Sequence, residues 1–114
     1  MTKSKLLDIS TELATEIINL SKTLQQNKEF IISNQIGRSG TSIGANIREA
    51  QYAQSRADFI NKFKIALKEA NETVYWLEIL LKTDCIDNDV YKELTSKCST
   101  IRFLLISSIK TASK

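Results

Sequence analysis

At 114 residues, 42% of them apolar, the chain has the size of one domain, residues 1–114, able to bury a moderate core, and its net charge of +3 is a mild basic excess. It contains no histidine, which removes the commonest general base, the usual activation partner of a serine or cysteine nucleophile, and the Glu-x-x-His pairs of di-iron bundles; the chain reads as a non-enzyme without a cofactor or metal. No proline, three glycines confined to one stretch, and little strand-like alternation favour an all-α protein.

The first helix is expected from about Lys5 to Gln25, with Ser4 as its N-cap. Leu6, Leu13, Ile17, Leu20 and Leu24 form a seam interrupted only by Ser10. The polar stretch Gln26 to Lys28 makes the turn. The second helix runs from about Glu29 to Ala53 and holds the most informative segment, QIGRSGTSIGANIREA from Gln35 to Ala50. At about 100° per residue this segment sorts into three stripes. Ile36, Ile43, Ile47 and Ala50 share one face; Gln35, Arg38, Ser42, Asn46 and Glu49 share its neighbour; Gly37, Gly40 and Gly44 make the third. Each glycine costs a helix interior roughly 1 kcal/mol relative to alanine, so three at this spacing imply close backbone approach by another element.

Ser55-Arg56-Ala57-Asp58 reads as a capping-box-like start for the third helix. Its heptad is Ile60, Phe63, Leu67, Ala70, Val74, Leu77 and Leu81, a core face. Thr83 to Ile86 breaks the pattern, and Asp87 caps a fourth helix from about Asn88 to Thr111, with Ile86 placed to staple onto Tyr91. Leu94, Cys98, Ile101, Leu105 and Ser108 lie on one side of that helix. Short connections between long helices make neighbours antiparallel, which predicts an up-down-up-down four-helix bundle.

Apolar surface exceeds what one bundle needs. Val74 to Leu81 is apolar nearly all round, and Phe103-Leu104-Leu105-Ile106 repeats the feature. Such surfaces mark association, so a homo-oligomer is expected, with Trp76, Ile79 and Phe103 as contact residues. Cys85 and Cys98 are too few for a disulfide framework and are not spaced as a zinc motif; Cys98 reads as a buried free thiol. The N-terminal MTKSKLLDIS has too short an apolar stretch for a signal peptide, and no segment approaches the roughly 20 apolar residues of a membrane helix, so no membrane role and a cytoplasmic location are expected.

The run Gln35, Arg38, Ser42-Ile43, Asn46-Ile47 and Glu49, followed by Ser55, Phe59, Phe63, Ala66-Leu67 and Glu72, resembles the four-helix-bundle proteins called the 23S ribosomal RNA intervening-sequence protein family. The resemblance covers roughly Leu13 to Leu105. It departs from the family pattern at Arg48-Glu49-Ala50, where members commonly carry Ala-Glu-Gly, and at Lys68-Glu69, where they often carry Gly-Ser. The resemblance implies ring-like homopentamers of antiparallel bundles and, for most members, no assigned activity. A distant relative, the accessory variability determinant of diversity-generating retroelements, binds nucleic acid together with a reverse transcriptase; the resemblance therefore raises RNA or DNA, and a protein such as a reverse transcriptase, as partners.

Charge placement bears on that expectation. Arg38, Arg48, Arg56, Lys62, Lys64 and Lys68 lie between positions 38 and 68 against Glu49 and Asp58, and are the nucleic-acid-binding candidates. Contacts from them would be to phosphate, sequence-independent and salt-sensitive. The competing readings are a protein–protein interaction module with an ordinary solvated basic face, and an enzyme using Glu69, Glu72 or Glu49 as acid or base. The polar stripe of Gln35, Arg38, Ser42, Asn46 and Glu49 is expected to form a hydrogen-bond network at a helix or subunit boundary, reaching Glu72.

Overall fold

The computed structural model describes the backbone from Thr2 to Lys114 and side chains from Lys5 onward. Four helices follow one another: α1 (Thr2–Gln26), α2 (Phe30–Ala50), α3 (Arg56–Lys82) and α4 (Asn88–Ala112). Each packs on its sequence neighbours, and α1 closes against α4 to complete an antiparallel bundle. The α1–α4 seam is the thinnest of the four. The bundle is 45 Å long and about half that across (22 × 19 Å), as helices of this length dictate.

The connections are short because specific backbone bonds end each helix. At the end of α1, Lys28 takes a left-handed φ of 63°, while Glu29 N–H bonds to Leu24 C=O and Lys28 N–H to Gln25 C=O. This is the Schellman arrangement, built without glycine. Asp84 repeats it after α3 with φ 60°, Cys85 N–H reaching Leu80 C=O and Asp84 N–H reaching Leu81 C=O. The starts of α3 and α4 are capped by side chains, Ser55 Oγ accepting from Asp58 N–H at 3.1 Å and Asp87 Oδ1 from Val90 N–H at 2.9 Å, whereas Glu29 before α2 makes no side-chain cap. Ser4, expected to cap α1, stands inside a helix that already runs from Thr2, and its side chain lies outside the described residues.

Several boundaries and seams differ from expectation. α2 spans Phe30–Ala50 rather than Glu29 to Ala53, because its last turn tightens: Gln51, Tyr52 and Ala53 N–H groups bond three residues back instead of four. In α1, Ser10 is not an interruption but a buried member of the seam, and Leu20 is only half-buried. In α3 the fully buried line is Phe63, Ala66, Ala70, Thr73, Leu77 and Leu80. Leu67, Val74 and Leu81, expected at its centre, are partly buried. The small Ala66 and Thr73 occupy the tight line, and the larger side chains fill its flank. Ser108 is likewise only partly buried, whereas Leu94, Cys98, Ile101 and Leu105 are buried as the period requires. Burial pushes the Cys98 thiol up to about 12, so it stays protonated at neutral pH.

Where the glycine stripe meets α1 the helices are close. A Cβ on Gly40 would stand 2.8 Å from Ile17 Cγ2, one on Gly37 3.2 Å from Ser21 Oγ, and one on Gly44 3.4 Å from Ser10 Oγ. Hydroxyls fill the remaining polar demand. Ser21 Oγ donates to Ser33 C=O and Ser33 Oγ to Ser21 C=O, each at 2.9 Å, joining α1 to α2. Thr73 Oγ1 stands 2.9 Å from Ser39 Oγ, joining α3 to α2. Among the described residues no buried side-chain nitrogen or oxygen lacks a partner.

Candidate functional site

The polar stripe of α2 faces the edge of α3. Arg38 Nη1 lies 3.2 Å from Glu69 Oε1, Arg38 Nη2 bonds Glu72 Oε2, and Trp76 Nε1–H donates to that same Glu72 oxygen at 3.3 Å. Glu69 and Glu72 are successive carboxylates on one face of α3, so a single guanidinium bridges both. Burial pushes the Glu72 carboxyl up, but the Trp76 and Arg38 hydrogen bonds and the charges of Arg38 and Lys68 outweigh it and hold the group below its ordinary value. Hydrogen bonding to Glu72 raises Arg38 in turn.

The rest of the stripe works locally. Ser42 Oγ donates to Arg38 C=O at 2.7 Å and Asn46 Nδ2 to Ser42 C=O at 2.9 Å, both within α2. Glu49 leaves the cluster and pairs with Lys62 at 3.2 Å, and Gln35 is exposed. Glu69, Glu72 and Glu49 therefore sit in ion pairs, the first two shared by one arginine. Among the described residues no cluster of three Cys, Asp or Glu side chains is close enough to hold a metal ion.

The six basic positions do not share one patch. Arg38 and Lys62 are occupied by carboxylates. Arg48, Arg56, Lys64 and Lys68 are exposed and, among the described residues, have no Asp or Glu carboxylate within 4 Å. Arg48 Nη2 donates to Thr11 Oγ1 at 3.3 Å beside an open α1–α2 groove of about 520 Å³, whose lining includes Lys22 and no acid. Arg56 and Lys64 line a second groove, of about 680 Å³, between the start of α3 and the end of α4.

The apolar positions also separate. Trp76 and Ile79 are half-buried and line an apolar groove with Phe30, Ile31 and Ile32 of α2, and the Trp76 ring stands edge-on to Tyr75 with centroids 4.8 Å apart. Phe103, on α4, is 72% exposed. Two features escaped the sequence. The buried hydroxyl pairs Ser21–Ser33 and Ser39–Thr73 join separate helices and leave no periodic trace. A polar tie also crosses the thin seam: Lys97 of α4 bonds Glu16 of α1 and lies 3.7 Å from Glu93.

The chain matches the family model described as 23S rRNA-intervening sequence protein over residues 2–107. A crystal structure of a protein of unknown function from the S23 ribosomal protein family of Bacteroides thetaiotaomicron is similar at 57% identity, with a TM-score of 0.93 over 96% of this chain and 99% of that one. No curated protein matches. Among the described residues no helix is long and apolar enough to cross a membrane.

Proposed function

The chain belongs to the 23S rRNA-intervening sequence protein family, and on that footing we propose that it is a non-enzymatic, cytoplasmic scaffold that assembles as a homo-oligomer, a pentamer being favoured, and holds RNA or DNA by its phosphates without reading sequence. The observation that carries the reading is the set of exposed cations Arg48, Arg56, Lys64 and Lys68, none of which, among the described residues, has an Asp or Glu carboxylate within 4 Å. Assembly would multiply them into a field that a net charge of +3 on one chain does not provide. Exposed Phe103 and the groove beside Trp76 and Ile79 support assembly, because isolated bundles rarely leave such surface uncovered.

Two measurements test this. Light scattering is expected to give a mass several times that of one chain, with Phe103→Lys lowering it. Labelled RNA titrated across a salt series is expected to bind with an affinity that falls steeply as salt rises. A second reading is favoured by the Trp76 groove alone: a module that docks another protein, its basic surface incidental. Absence of RNA binding at low salt selects that one.

A further inference from the structure

The α2–α3 turn, the start of α3 and the end of α4 meet at one end of the bundle. Arg56 Nη1 donates to the backbone carbonyl of Lys114 at 3.3 Å, tying the last two together. Arg56 and Lys64, roughly two turns or about 12 Å apart on α3, are the charged residues lining the groove beside this tie, and no acid lines it. Lys110 and Lys114 are exposed at the same end, as is Arg48 in the last turn of α2. Of the acids near this end, Glu49 pairs with Lys62 and Asp58 accepts from the backbone N–H of Gln54, while Asp8 of α1 stands exposed. At the opposite end Asp84, Asp87 and Asp89 stand among exposed Lys28, Lys82 and Lys92, so the charge there is mixed.

Tyr52 stands in the turn at the basic end. Its side chain is 86% exposed, more than any other large apolar side chain among the described residues, while its N–H bonds to Glu49 C=O at 3.0 Å. An aromatic ring is thus held out from a fixed backbone between Arg48 and Arg56. Cations alone attract any polyanion. A free ring face adds selectivity, because only an unpaired base has a face to stack on it.

We propose that this end of the bundle holds an unpaired polynucleotide strand, with a base stacked on Tyr52 and the adjoining phosphates on Arg56 and Lys64. The inference rests on the polynucleotide reading above and narrows it to single strands and to one end of the molecule. Fluorescence anisotropy with a labelled uridine oligonucleotide and with a duplex of the same length tests it.

The single strand is expected to bind more tightly. Tyr52→Ala is expected to weaken that binding about tenfold while leaving the duplex value and the melting temperature unchanged, and Tyr52→Phe to restore it. Lys64→Gln is expected to reduce the salt slope by about 0.7, the value for one phosphate contact on a single strand. Single-strand binding that is unaltered by Tyr52→Ala, or no tighter than duplex binding, overturns this inference and leaves the broader reading standing. Displacement of the strand by polyglutamate of equal charge as readily as by unlabelled RNA overturns it in favour of an acidic protein segment. Failure of the wild type to bind any polynucleotide overturns both.

Discussion

A methyl group on Gly40 would lie 2.8 Å from Cγ2 of Ile17, closer than real Cβ atoms come to other atoms, and 3.1 Å from its Cβ, tighter than most such contacts. The obstacle is the branched root of a buried side chain, so relief requires the α1 and α2 backbones to separate. Gly40→Ala is therefore expected to cost about 1–2 kcal/mol, the overpacking penalty outweighing the gain of about 1 kcal/mol in helix propensity. Gly44→Ala, whose Cβ would meet Ser10 Oγ at an ordinary 3.4 Å, is expected to stabilise by up to about 1 kcal/mol. Urea denaturation of the two variants compares them directly; equal midpoints would show that the close approach at Gly40 is not a constraint.

Arg38→Ala releases Glu69 and Glu72 together. Because the Arg38 side chain is 49% exposed, solvent screens the pair, and the loss is expected to be about 1 kcal/mol or less and to shrink in high salt. Glu72, held below its ordinary value of 4.5, contributes stability that is present above that pH and is lost as pH falls through its folded value. Glu72→Gln is expected to flatten this part of the acid limb in urea midpoints measured across a pH series. An acid limb identical to wild type would place the proton uptake elsewhere.

Lys97 lies beside two carboxylates, Glu16 and Glu93, that also meet each other at the thin α1–α4 seam. Burial pushes Glu16 up, but its bonds to Glu93 and Lys97 bring it below its ordinary value, while the same Glu16 contact raises Glu93. A raised carboxyl contributes stability at low pH that is lost as pH rises through its folded value. Lys97→Met is accordingly expected to destabilise more at pH 7 than at pH 4, and Glu93→Gln in that background to restore part of the loss. Thermal melts at the two pH values measure both.

Lys28 and Asp84 hold left-handed backbone that glycine adopts without strain. Lys28→Gly and Asp84→Gly are each expected to stabilise by about 0.5–1 kcal/mol, the relief of side-chain strain exceeding the added chain entropy. A lower melting temperature in either would show that the native side chain contributes more at its turn than the backbone strain costs.

The class of fold was legible because α2, α3 and α4 each repeat apolar residues at three and four, and Ile36, Ile43, Ile47 and Ala50 are all buried as their spacing requires. The rotation of α3 was not. Leu67, Val74 and Leu81 are stronger apolar signals than Ala66 and Thr73, yet the tight line goes to the smaller side chains, since proximity to α2 at Ser39 is set by size and by a hydroxyl bond rather than by hydropathy. The same limit applies to the site. Arg38 and Glu72 carry their types in the sequence, but that one guanidinium also reaches Glu69, and that Trp76 joins through Glu72, depends on the angle at which two helices meet. Tyr52 has no periodic context at all, because it sits in a turn.

The hydroxyl pairs have a consequence for how uniquely the chain folds. Interfaces of aliphatic side chains alone would tolerate a helix shifted by one turn, since leucine meets isoleucine in either setting. Ser21 and Ser33 satisfy each other's backbone carbonyls, and Thr73 finds Ser39, in one axial alignment only. A displaced alternative loses these bonds between helices; Thr73 and Ser39 keep the carbonyls of Glu69 and Ile36 in their own helices, so the cost falls chiefly on Ser21 and Ser33 and favours the one alignment.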